Sequence, residues 1–180
     1  MRRTHRVIAR GHSAAAAPAI RVMTMSQPCE ESQPSDWGEI DELLRAVVAD
    51  GFTVYLCGGP DVPEAIVATY AWENHVDYVV IKDAHDVTAA RSRQSRDWDV
   101  FSADTVVWSY HGHARWALRA ILDLLPPDHP QAPDEEYPAP ESLKVDEAHL
   151  RRVSVRTPRP GLVARRAMRL RTVTWGCRLA

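Results

Sequence analysis

Residues 52–60, FTVYLCGGP, decide how this chain reads: a short apolar run stops abruptly at two glycines and a proline. Before it, Trp37, Ile40, Leu43, Leu44, Val47 and Val48 fall at helical spacing, and Asp50-Gly51 closes that helix. Ser35 or Asp36 can cap its start, with Glu39 as the first-turn acid. After the glycines, Pro63 suits a first helical position, and Ala65, Ile66, Ala68, Thr69, Ala71 and Trp72 continue a helical pattern to about residue 74. A buried strand that delivers its chain into a tight strand-to-helix turn has this form.

The same alternation extends outward in both directions. Residues 19–25, AIRVMTM, read as a first strand, and 27–36 as a loop punctuated by prolines. Residues 76–81, VDYVVI, form a β-branched run expected of a strand buried on both faces. A short helix is expected through Ala89, Ala90 and Arg93, a fourth strand over 103–108, and a helix over 114–125 that Pro126-Pro127 stops. Strand and helix in strict alternation predict an α/β fold: a three-layer parallel sheet of about four strands with flanking helices. The expected organisation is a disordered start (1–18), an α/β domain (19–125), a Pro-rich linker or extended wrap (126–142) and a basic C-terminal extension (143–180). In that extension 151–157 alternates like a strand, which 170–175 could partner, while a basic amphipathic helix over 163–170 is an equal alternative.

Net charge is only −2, yet it is unevenly spread. Residues 31–143 hold 21 acids against seven basic residues, whereas 144–180 hold ten basic residues against two acids. An acidic body argues against nucleic acid as a partner except through the basic C-terminal tail. Tail and body could equally attract each other, within a chain or between subunits, and a homodimer would cover the edges of a small sheet. Three widely spaced cysteines, Cys29, Cys57 and Cys177, with no CxxC pair fit a reducing, cytoplasmic setting. No apolar run approaches the length needed to cross a bilayer.

In an open parallel sheet, ligands bind beyond the carboxyl ends of the strands. The segments arriving there would be 26–28, 57–61, 82–86 and 109–113. Gly58 and Gly59 before a helix start offer close backbone approach and N–H groups for an anion, or simply a tight turn. Glu64, in the first turn of that helix, could face a sugar or complement the helix dipole. Arg91, Arg93 and Arg96 stand out in an acidic body; guanidinium groups clamp phosphate, although these could also neutralise Asp97, Asp99 and Asp104. Asp83, His85 and Asp86 supply acids and a base behind a buried strand, and Ser109, Tyr110 and His111 follow another. A metal held by His85, His111 and His113 with Asp83 or Asp86 requires several coincidences, so no metal site and no cofactor are expected. Cys57, ending a buried strand, reads as a small apolar residue more readily than as a nucleophile.

Four stretches, IRVMTMSQ, TVYLCGGPDVPEA, VDYVVIKDAHD and AARSRQSRDWDVFSADTVVWSY, together resemble one superfamily. It is the Rossmann-like group that includes the lysine-decarboxylase-like phosphoribohydrolases, the DNA-processing protein A core and the SLOG-type nucleotide-binding domains. The resemblance covers residues 20–125. The phosphoribohydrolases carry a PGGxGTxxE segment; Gly58, Gly59 and Glu64 occupy a loosely similar frame here, without the GT pair. The resemblance implies a nucleotide or phosphorylated nucleoside-like ligand. Gly58 and Gly59 would hold its phosphate, Arg93 or Arg96 would neutralise it, and Asp83 or Tyr110 would meet the ribose or base. The enzymatic alternative is cleavage or transfer at a nucleoside N-glycosidic bond, with Glu64 or Asp86 supporting the oxocarbenium charge or activating water. A third alternative is a non-catalytic interaction module that uses the basic C-terminal tail.

Overall fold

The computed structural model describes residues 34–94 and 99–176. Helix α1 (Pro34–Ala49) leads into four strands joined by turns: β1 (Thr53–Cys57), β2 (Ala65–Ala71), β3 (His75–Ile81) and β4 (Val87–Arg93). Then come β5 (Thr105–Val106), β6 (Trp108–Gly112), α2 (Ala114–Asp123), β7 (Tyr137–Pro138), the one-turn α3 (Glu147–Leu150), β8 (Val153–Arg156) and α4 (Arg165–Gly176). Six strands form one sheet in the order β6-β4-β3-β2-β1-β8, and β5 pairs with β7 separately. Every pairing is antiparallel.

This overturns the expected parallel sheet and, with it, the Rossmann-like resemblance. The decisive segment is 65–71, AIVATYA: it is not a crossover helix but a strand that turns straight back on β1, pairing Cys57 with Ala65 and Thr53 with Thr69. Residues 87–93 likewise form a strand beside β3 rather than a helix. Both strands hide their period of two because the sheet is covered on both faces. On one face α1 and α2 pack Ile40, Val47, Leu118 and Ile121 against Tyr70, Val79, Val87 and Ala89. On the other, Val67, Tyr78 and Val80 are covered by Val106, Leu143 and Val145 from the chain after β4. A strand apolar on both sides no longer alternates, and its alanines then imitate a helix. Ala89 and Ala117 are fully buried, and their small side chains let α2 lie close to β4.

Beyond α2, the Pro-rich stretch wraps the body. β7 pairs with β5, Ala139 N–H donates to the Asp104 carbonyl, and Leu143 is buried in the second core. The alternating stretch 151–157 supplies β8, the outer neighbour of β1. Residues 170–175, the strand partner expected for it, lie instead within α4.

Helix α4 is held by a buried ion network on the helix-covered face. Asp77 on β3, Arg91 on β4 and Arg166 on α4 are all fully buried. Arg91 Nε donates to Asp77 Oδ1 at 2.5 Å, and Arg166 Nε and Trp72 Nε1 donate to Oδ2 at 3.1 and 2.9 Å. Arg166 also donates to the carbonyls of Ile121 and Leu122, the open C-terminal end of α2, where a cation meets the negative end of the helix dipole. Its guanidinium lies 5.3 Å from the centre of the Phe52 ring. Burial pulls the Arg166 pKa below its ordinary value, while Asp77 and Asp50 oppose that pull. Among the described residues no helix is long and apolar enough to cross a membrane.

Candidate functional site

Antiparallel pairing gathers the turns that the sequence had marked, by a different route from the expected one. The register runs Leu56, Ile66, Ile81, Val87 and Gly112 across the sheet, so turns 58–64 and 82–86 and the β6–α2 junction share one end. Gly58, Gly59, Glu64, Asp83, His85, Asp86 and His111 are therefore brought to the same edge of the molecule.

Two small constellations stand there. Gly58 has φ 95°, and a Cβ on it would lie 3.0 Å from the Glu64 Cβ. Its N–H donates to the carbonyls of both His149 and Arg152, at 2.9 and 3.0 Å. That ties the first hairpin turn to α3 and places His149 Nε2 at 2.7 Å from Glu64 Oε2. With Lys82, Lys144, Val145 and Asp146 they line a cavity of about 360 Å³. Next to it, Asp83 Oδ1 accepts from the N–H groups of His85 and Asp86 at 2.6 and 2.8 Å, and these bonds hold its carboxyl below the ordinary range. The His85 and His113 rings meet at 4.9 Å, and His113 Nδ1 accepts from the Arg115 N–H as the cap of α2. His111 Nδ1 lies 3.0 Å from Thr88 Oγ1 and 3.8 Å from Asp86 Oδ1. Among the described residues no three such side chains converge on a metal-sized space.

A carboxylate-oriented imidazole is half of a base-nucleophile pair. The other half is missing here, because no hydroxyl or thiol lines the cavity. Cys57 is fully buried, and burial pushes its thiol pKa up, away from the thiolate.

The expected anion clamp does not assemble with the glycines. Arg91 and Arg93 stand toward the far end of β4, about 13 and about 20 Å along the strand from Val87. Arg91 is fully spent on Asp77 and the Leu125 carbonyl, and Arg93 pairs with Asp134 and Glu136. Arg96 lies outside the described residues. Ser109 Oγ lies 3.0 Å from Tyr137 Oη, and Tyr110 is exposed on β6, with Gly112 beside its ring. A nucleotide crevice at the carboxyl ends of parallel strands has no counterpart in an antiparallel meander, and the glycosidic-bond reading, built on the same crevice, falls with it. Part of the basic C-terminal extension is packed on the body: 165–176 form α4, anchored through Arg166 and Arg169 to Asp50 and Asp77.

What sequence reasoning missed lies at the sheet's edge. β8 has β1 on one side and, among the described residues, no strand on the other. On and beside it Arg151, Arg152, Arg156, Arg159 and Arg165 are exposed. None of the five has an ion pair among the described residues. The described arginines of the body behave otherwise: Arg45, Arg91, Arg93, Arg115 and Arg119 all meet carboxylates. Val155, on the same strand, is 54% exposed. The available signal was the basic excess after residue 143 combined with the alternation of 151–157; what the sequence could not supply was that this strand is outermost.

No known protein family, curated protein or solved structure matches the chain.

Proposed function

We propose that this protein is a binding module that engages an acidic partner protein along strand β8. The observation that carries this reading is the set of five exposed arginines that have no ion pair among the described residues, on and around a sheet edge with no further described strand, in a chain whose other described arginines are all paired. An edge strand presents a row of unused N–H and C=O groups to which an extended segment can add as a further strand. Main-chain bonds then supply affinity, and the arginines select for carboxylates and speed encounter.

Like charge disfavours the alternative of two copies joined β8 to β8, because such pairing brings two arginine clusters close together. Nucleic acid fits less well. The surface around β8 offers no exposed aromatic ring on the strand for base stacking, and the body beside it is acidic.

The test is fluorescence anisotropy with a labelled, extended Glu-rich peptide, on the full chain and on an Arg152→Glu/Arg156→Glu variant. Binding by the wild type that weakens several-fold between about 50 and about 300 mM salt, and is lost in the variant, is the expected result. Absence of wild-type binding, or equal binding by the variant, overturns the reading. So does a single-stranded oligonucleotide that binds tighter than the peptide with the same dependence on Arg152 and Arg156.

A further inference from the structure

Directly beyond β8 the chain forms one wall of a groove of about 510 Å³. Pro158 and Leu162 stand on that wall, and Leu44, Val48 and Ala49 of α1 face them. Val48 is 49% exposed, so the groove has an apolar floor, and Arg159, without an ion pair among the described residues, lines it as well.

Among the described residues none fills the groove, and the backbone sets the position of its wall. Gly51 has φ 95°, and a Cβ there would lie 2.1 Å from the Leu162 carbonyl oxygen, so only glycine lets the wall come this close to the α1–β1 turn. The wall carries its own turn, with Leu162 N–H donating to the Arg159 carbonyl at 2.8 Å. Arg166 N–H donates to the Asp50 carbonyl at 3.2 Å and fixes its far end. A volume of this size lies within the range of pre-formed ligand pockets and exceeds what a single large side chain needs.

We infer that the groove receives a large apolar side chain from the same acidic segment that adds to β8, so that the ligand class is an extended acidic strand with one apolar anchor. This rests on the β8 reading. Successive side chains of a strand point to opposite faces of a sheet. Val54 packs into the helix-side core and is paired with Arg156, so alternate residues of an added strand project to the side where α1 and the groove lie. Acidic residues of that strand meet the arginines, and the apolar one is desolvated beside Val48. The first thirty residues of the chain carry five arginines and one acid, which makes them a poor occupant for an arginine-rimmed site.

The experiment uses the full chain and two labelled nonapeptides with the same acidic residues, one with a central leucine and one with a central serine. The leucine peptide is expected to bind about tenfold tighter. In Val48→Gln that preference should shrink to less than about twofold, with the salt dependence retained and the melting temperature unchanged. Equal binding of the two peptides by the wild type, with Arg152→Glu/Arg156→Glu still abolishing both, overturns the anchor and leaves the β8 reading standing. Loss of the Arg152 and Arg156 dependence overturns both. A leucine preference that survives in Val48→Gln places the apolar contact elsewhere and overturns the groove.

Discussion

Replacing Asp77 by asparagine keeps the size of the side chain and removes one negative charge from the centre of the molecule. Asp77 is fully buried and accepts four hydrogen bonds: two from Arg91, one from Arg166 and one from Trp72 Nε1. An amide has one oxygen to offer them and turns two N–H donors toward groups that are themselves donors. At least one buried donor therefore loses its acceptor, at a cost of about 1–3 kcal/mol. The charge loss adds to this. Arg91, Arg166 and Arg169 share only two carboxylates, Asp77 and Asp50, and removing one partner from a buried network of this kind costs about 3–5 kcal/mol in total. With a urea slope of about 2 kcal/mol/M, the midpoint of Asp77→Asn should fall by roughly 2 M. Equilibrium urea unfolding followed by tryptophan fluorescence reads this directly. Arg166→Met tests whether the effect belongs to the network. The double variant should be less destabilised than the sum of the two singles, by about 1–3 kcal/mol. A loss below about 1 kcal/mol in Asp77→Asn, or strict additivity of the two changes, would refute the claim that this network holds α4 to the sheet.

Gly51→Ala combines a left-handed backbone with a Cβ placed 2.1 Å from the Leu162 carbonyl, so it should cost more than about 2 kcal/mol and lower the melting temperature by several degrees; Gly38→Ala, on α1 with nothing within 4 Å of its added Cβ, is the contrasting control and should raise stability by up to about 1 kcal/mol. His75 has its pKa lowered from 6.5 by burial and by the nearby Arg91 and Arg93. Its contribution is therefore present above the unfolded value and lost as pH falls through the lower folded value; the urea midpoint of the wild type should drop more between about pH 7 and about pH 5 than that of His75→Asn, and parallel curves would count against it. Cys57, buried with its thiol pushed up, should resist iodoacetamide in the folded protein and react once urea unfolds it, as peptide mapping of the Cys57 fragment will show. The Glu64–His149 pair is part-exposed, and Glu64→Gln should change stability by less than about 1 kcal/mol; a larger loss would mean that the pair fixes α3 to the first hairpin.

The strands with strong β chemistry are legible in the amino-acid sequence. Residues 52–57 and 76–81 carry β-branched and aromatic residues bounded by turns, and they form β1 and β3. Helices α1 and α2 are legible because each has a solvent side, which leaves the helical period visible. The failures share one physical origin. Residues 65–71 and 87–93 sit at the middle of a sheet covered on both faces, where every position can be apolar or small. Ala65, Ala68, Ala89 and Ala90 then suggest helix, while tertiary burial imposes strand. Two such substitutions of strand for helix convert adjacent hairpins into imagined crossovers and an antiparallel sheet into a parallel one. The candidate site fared differently. Gly58, Glu64, Asp83 and His111 do share one end of the sheet, because turns gather side chains whatever the direction of the strands. Arg91 was read as a candidate clamp because a buried guanidinium serving Asp77 and one clamping a phosphate look identical in sequence.

The buried ion network also imposes an order of events on a growing chain. Asp77 finds Arg91 fourteen residues later, within one hairpin, but Arg166 follows Asp77 by 89 residues. At ribosomal speeds of about 5–20 residues per second, that interval lasts roughly 4–18 seconds. Hairpins of this kind close in microseconds, so the meander can exist long before its last strand and helix are made. During the wait the ring faces of Phe52, Tyr70 and Trp72 that meet Arg166 lack that cover. A chain released before residue 153 therefore lacks both Arg166 and the strand that covers the β1 edge, which makes it a substrate for quality control rather than a smaller working protein.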